Sequence, residues 1–353
     1  LSFLTGPRTI RLIRASDVDL KQSALVLPPQ SKDAEPGEPI SVRRIELLNV
    51  RLDLPSVHLP VFDIYAELGE GLALERARLE AHDQALRLVV EPQAKGVARV
   101  SLDAKEWTLP AGAPLTFESL AAKGLFKGSR LELPTIDGVL YGGTLAGGAT
   151  LDWKRLWSLS GKATLDGVDL VPIQQALGKE ANLSGKLKAT AEFSSQARSP
   201  AGLADTLALA GPFEVVGGAY QGVDLSKAGD LTGQPGLDDV TTFEELKGQL
   251  ALKGRHVKID ALCVRSPKVV AGGRVEIDPE QRLSGKLDVS IAKTGGFVGV
   301  PVTLGGTTSD PSVRPSTSYI VGAAVGTAIL PFIGTTLGAS AASALEGKSS
   351  SCK

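Results

Sequence analysis

The chain has 353 residues, 42% of them hydrophobic, and its 38 Lys+Arg against 39 Asp+Glu leave a formal net charge of −1. That balance argues against nucleic-acid binding, which normally brings a basic surplus, while the apolar fraction suffices to bury a large surface. Aromatics are only 5% and Gly totals 40, a poor endowment for one interlocked core, where aromatic burial normally dominates.

The chain begins at Leu1 and contains no Met, so a preceding signal peptide or membrane anchor is expected. Strands are predicted over residues 10–13 and 41–47, separated by a Pro-rich surface loop over 27–39. Further strands are predicted over 72–79, 86–90, 97–102 and 130–133, with Asp137-Gly138 and Asp166-Gly167 read as turns.

A repeated word follows. Leu159-Ser160-Gly161-Lys162, Leu183-Ser184-Gly185-Lys186 and Leu283-Ser284-Gly285-Lys286 each open an alternating run. Side chains of a strand alternate between faces. One face therefore collects Leu159, Ala163 and Leu165, then Leu183, Leu187 and Ala189, then Leu283, Leu287, Val289 and Ile291. Lys162, Lys186 and Lys286 fall on the other. The segment Ala146-Gly147-Gly148-Ala149-Thr150-Leu151-Asp152 echoes Ala271-Gly272-Gly273-Arg274-Val275-Glu276-Ile277-Asp278, and each precedes one of these runs. This reads as a repeated strand-turn-strand unit whose copies stack into a quasi-linear body. Between the copies, 171–177 is a predicted helix with Pro172 in its first turn, strands are predicted over 213–216, 248–252 and 256–262, and 242–246 reads as a capped turn.

No charged residue lies between Arg314 and Glu346. Within residues 319–345 Gly322 and Gly326, then Gly334 and Gly338, are four apart around Pro331. Small residues at that spacing let helix backbones approach closely in lipid. A helical hairpin turning near Pro331, packed on the sheet or plugging its open end, and a membrane-inserting segment both fit; the segment is expected to serve membrane or partner contact rather than folding of the sheet. Deleting 319–353 is then expected to leave the sheet's stability unchanged. The two cysteines, Cys263 and Cys352, do not make a disulfide framework. Two free thiols are expected, since a bridge requires the tail to fold back.

No catalytic constellation is found. His58, His82 and His256 are far apart, and there is no His-Glu-x-x-His or Cys-x-x-Cys metal spacing, phosphate-binding Gly-rich loop or Gly-x-Ser-x-Gly elbow. Neither a cofactor nor an enzymatic activity is expected. The apolar strand faces, rich in Leu, Ala, Val and Gly, suit either a two-sheet sandwich or one long sheet curled into an open trough; composition leaves the two open.

The C-terminal half resembles the AsmA-like family of Gram-negative envelope proteins. The resemblance is carried by Thr242-Phe243-Glu244-Glu245-Leu246-Lys247-Gly248, then Ser266-Pro267-Lys268-Val269-Val270-Ala271-Gly272-Gly273-Arg274-Val275-Glu276-Ile277-Asp278, then Gly299-Val300-Pro301-Val302-Thr303-Leu304-Gly305-Gly306-Thr307 and Asp310-Pro311-Ser312-Val313-Arg314-Pro315. It covers residues 161–315 well and the N-terminal part only in style. It implies an all-β fold: a long curled, antiparallel-rich sheet whose apolar inner face is a groove, as in bridge-like lipid-transfer proteins. Residues 1–160 would form the N-terminal part of the trough, 161–315 the AsmA-like region and 316–353 the Gly/Ala-rich tail. It further implies a periplasmic, inner-membrane-anchored protein supporting outer-membrane integrity by passive phospholipid movement. Its partners would be phospholipid acyl chains and inner- or outer-membrane proteins. The alternative is a non-enzymatic β scaffold in an envelope or secretion assembly, pairing through its edge strands.

Overall fold

The computed structural model of the chain describes residues 9–21, 41–53, 59–83, 85–110, 113–227, 239–293, 296–317 and 352. It is 70% strand and 8% helical, and 19 strands belong to one mixed sheet that is not closed. This is the expected all-β, antiparallel-rich class. The strands are β1 (Thr9–Ile10), β2 (Ile13–Ser16), β3 (Asp19–Lys21), β4 (Ser41–Val42), β5 (Arg44–Asp53), β6 (Phe62–Leu68), β7 (Leu74–Ala81), β8 (Leu86–Pro92), β9 (Val97–Thr108), β10 (Thr116–Lys127), β11 (Arg130–Leu140), β12 (Gly143–Asp152) and β13 (Trp157–Asp169). Helix α1 (Leu170–Ala176) leads to β14 (Lys186–Ala197), β15 (Ala208–Gln221), β16 (Val240–Lys253), β17 (His256–Arg265), β18 (Val269–Ile277), β19 (Leu283–Lys293), β20 (Gly296–Gly306) and β21 (Pro311–Pro315).

The chain divides into two compact units. The first comprises residues 1–141, 145–161 and 196–203, the second 142–144, 162–195 and 204–353. In the first, strands β5 to β11 pair antiparallel in chain order, and β2 and β3 pair parallel with β5. In the second, β14 to β21 pair antiparallel in chain order. Short hairpins suit this meander. Between β16 and β17 the turn is Gly254-Arg255, with Gly254 at φ +60°, the left-handed conformation that such two-residue loops require. Between β18 and β19, Asp278 accepts hydrogen bonds from the Arg282 backbone N–H at 2.8 Å and from its Nε at 2.5 Å.

Several local expectations are corrected. Asp137-Gly138 and Asp166-Gly167 lie inside β11 and β13 rather than at turns. A Cβ on Gly138 would stand 3.0 Å from the Ser119 carbonyl, so this glycine serves close strand approach. Residues 242–246 are extended within β16 instead of forming a capped turn, because their backbone is paired with β15 and Phe243 is buried. Residues 10–13 split between β1 and β2. The predicted helix is present as α1, with Asp169 as its cap accepting from the Val171 N–H at 3.0 Å. Leu183 precedes β14 and makes an isolated bridge to Tyr220; the strand starts only after Gly185, at φ +125°.

Cys263 and Cys352 form a disulfide with Cα atoms 5.1 Å apart, against the expected free thiols. The positions expected to contact a membrane or partner, Gly322, Gly326, Pro331, Gly334 and Gly338, and the loop over 27–39 lie outside the described residues.

Candidate functional site

Each unit carries rows of apolar side chains that run from strand to strand, because directly paired residues point to the same face. In the first unit the row is Leu47, Ile64, Leu79, Leu88, Leu102, Ala122 and Ile136, one residue per strand from β5 to β11. Ala122 is buried and the other six are only partly so. The adjacent row on the opposite face is Glu46, Tyr65, Arg78, Val89, Ser101, Lys123 and Thr135. Seven strands at ~4.8 Å spacing make the apolar row roughly 29 Å long.

The second unit has two such rows, and they differ. Leu187, Val215, Leu246, Val264, Ala271, Val289 and Val300 form one, from β14 to β20. It is a packed core: Ala271 and Val289 are 0% exposed and Val300 2%. Leu170, Leu183, Tyr220, Val223 and Leu225 pack on this end of the face. Gln174 on α1 fastens that cover, donating from Nε2 to the carbonyls of Leu170 and Leu183 and accepting the Leu183 N–H. Toward the opposite strand ends lies the second row: Phe193, Leu209, Leu252, Val257, Ile277 and Leu283, from β14 to β19. All six are partly exposed. One apolar face thus has a closed end and an open end.

The opposite face of this unit is ionic. Asp166 lies 3.8 Å from Lys188, Lys188 is paired across to Glu214 and Glu214 to Lys247, and Lys247 meets Glu245 at 2.9 Å. Alternating signs on neighbouring strands stabilise the sheet modestly. A shallow recess of about 520 Å³ follows this ladder, floored by the backbone around Ala189, Phe213 and Gly248.

The sequence-predicted groove residues are divided by this geometry. Leu283 sits in the open row. Leu287, Val289 and Ile291 are buried in the packed cluster, and Leu183 and Leu187 pack against it. Leu159, Ala163, Leu165 and Ala189 are partly buried, Leu159 in the first unit and the others in the second. Lys162, Lys186 and Lys286 are exposed, as the alternation requires. Missed were Leu209, Leu252 and Ile277, and the whole first-unit row. Each lies on an alternating strand, but only the ladder register reveals that the strands' apolar positions line up.

Two histidines lie among the described residues, each beside one carboxylate. His82 Nε2 is 2.8 Å from Asp63 Oδ1, in a recess of about 550 Å³ shared with Glu80 and Arg87. His256 Nε2 is 2.6 Å from Glu276 Oε1. Desolvation pushes the Asp63 carboxyl up, but hydrogen bonds from His82, the Asn49 N–H and the Tyr65 hydroxyl outweigh it and hold the group below the ordinary aspartate range. The hydrogen bond from His256 does the same for Glu276. A depressed folded-state pKa contributes stability above the unfolded value that is lost as pH falls through the folded one. Asp63→Asn should therefore flatten the acid limb of melting temperature against pH, below about pH 5, and change little at neutral pH beyond a constant offset. An unchanged acid limb would show that the pair is not formed.

No group of three or more His, Cys, Asp or Glu among the described residues is placed to hold a metal. No helix among them is long and apolar enough to cross a membrane. The chain matches no protein-family model, no curated protein and no solved structure.

Proposed function

We propose that this chain is a non-enzymatic lipid-binding protein that lets phospholipid acyl chains lie along its open apolar rows, moving lipid passively in the cell envelope. The observation that carries this reading is the run of apolar side chains, partly exposed at every position but the buried Ala122, across seven strands in one unit and six in the other. Each CH₂ group laid on such a surface gains up to about 0.8 kcal/mol, so a whole acyl chain is held without a headgroup site. Movement along the row then exchanges like contacts for like. A curled trough resembling that of the AsmA-like family suits these rows, and its direction of transfer would be set by partners at either end. The Cys263–Cys352 disulfide supports an oxidising compartment such as the periplasm. The scaffold alternative is weakened at one edge. β21 pairs only with β20 among the described residues and is bounded by Pro311 and Pro315, which lack the N–H donors that an added strand would need.

The test is phospholipid mass spectrometry on protein prepared without detergent, alongside thermal unfolding of Leu79→Asp and Leu252→Asp. The expected result is bound phospholipid in the wild type and depletion in both variants. The stability cost should be about 1 kcal/mol, since water reaches an open-row carboxylate when lipid is absent. Lipid-free wild-type protein, or full occupancy in both variants, would overturn the reading.

A further inference from the structure

Phe62, Phe117 and Phe243 are buried in the cores, but three other aromatic residues gather at strand ends. Phe126, at the end of β10, stacks on Trp153 with ring centroids 5.7 Å apart, and Trp153 stacks on Trp157 at 5.5 Å. These include two of the chain's three tryptophans. They occupy two neighbouring tips in the first unit: the β10–β11 hairpin and the connection from β12 to β13. The Trp153 N–H donates to the Ser129 carbonyl at 3.0 Å, tying the tips together. At these tips Leu125, next to Phe126 and on the opposite face of β10, and Leu156, in the β12–β13 connection, are 47% and 45% exposed.

The same tips are cationic. Lys127, Arg130, Lys154 and Arg155 are all exposed there. Of these, Arg130 pairs with Glu132 at 2.6 Å, and no carboxylate among the described residues pairs with the other three. Asp152 accepts the Lys154 backbone N–H. Four cations thus face two carboxylates, in a chain whose net charge is −1. A stack that only fastened two tips together would need neither the exposed Leu125 and Leu156 at those tips nor three cations without a carboxylate partner among the described residues. We infer that these tips form a docking site for an anionic lipid bilayer surface. The indole and phenyl rings lie at headgroup depth, Leu125 and Leu156 enter the acyl boundary, and the cations meet lipid phosphates. The inference does not rest on lipid occupancy of the apolar rows, since a surface dock works whether or not those rows are filled.

The full chain should be mixed with vesicles of phosphatidylcholine plus phosphatidylglycerol, and of phosphatidylcholine alone. A Trp107→Phe background leaves the stacked pair as the fluorescent reporter. The expected result is sedimentation with the anionic vesicles only, a blue shift of tryptophan emission, quenching by brominated acyl chains, and loss of binding at high salt. Reversing two exposed charges, Lys154→Glu with Arg155→Glu, should weaken partitioning at least about thirtyfold, the loss of the two attractions alone. Leu156→Asp should weaken it with the circular-dichroism signal retained. Should Leu156→Asp fail to fold, the charge reversal decides alone. Absence of vesicle binding, equal binding to neutral vesicles, unquenched tryptophans or indifference to the charge reversal would each overturn the assignment. Row occupancy is scored separately by Leu252→Asp, which should lose bound lipid and keep vesicle docking.

Discussion

Leu287→Asp should unfold the second unit. Leu287 is 5% exposed in the middle of β19, paired with Gly273 on β18 and Val302 on β20. Its side chain fills the space above Gly273: a Cβ built on that glycine would meet Leu287 Cδ2 at 2.9 Å. An aspartate here removes that packing and buries a carboxylate in a cluster formed by Val264, Ala271, Val289 and Val300. Losing the leucine alone costs about 2–5 kcal/mol, and an unpaired buried charge adds several more. Against a total stability of about 5–15 kcal/mol, little folded second unit should remain. The measurement is urea unfolding of Leu287→Asp beside Leu252→Asp, which lies on the same apolar face and differs by only about 1 kcal/mol from wild type if its row is open. Equal destabilisation by the two would mean that the face has no open end.

The contrast between Leu287 and Leu252 marks what the sequence makes legible. Period-two alternation identified β19 and β14 and put Lys186 and Lys286 on the exposed side, because the side-chain period of a strand is fixed by backbone geometry. Alternation says which face a residue occupies but not how far along the strand the face is covered. That depends on Leu170, Leu183 and Tyr220, which pack on strands distant in the chain, and on the local Gln174 hydrogen bonds that hold α1 to Leu183. The Asp-Gly pairs misled for a related reason. Turn residues also suit positive-φ sites inside bent strands, and Gly167 at φ +72° is one. The first-unit row was invisible because its members come one from each strand, so no single segment looks exceptional. The aromatic tip was missed because Phe126 and Trp153 are 27 positions apart and meet only through the hairpin register.

Replacing Cys352 with serine should lower the stability of the second unit by about 4–5 kcal/mol, the chain-entropy value for closing a loop of this length. The bridge joins residues 89 positions apart, and a loop that long greatly restricts the unfolded ensemble. On the folded side Cys263 is 0% exposed. It is paired with Lys247 on β16 and Gly272 on β18, so it points to the face opposite Leu262 and Val264. The tether therefore attaches to the reverse of the packed face, and losing it should leave the core and the open row in place. This changes the expectation for the tail: deleting 319–353 removes Cys352 and should cost at least as much as Cys352→Ser, where the sequence suggested no cost. Dithiothreitol should reproduce the loss in wild type and do nothing to Cys352→Ser. Melting temperature with and without reductant, on wild type, Cys352→Ser and the truncated chain, decides it. A wild type indifferent to reductant, with its two thiols free to alkylate in the unfolded state, would show that the bridge does not form and would remove its support for an oxidising compartment.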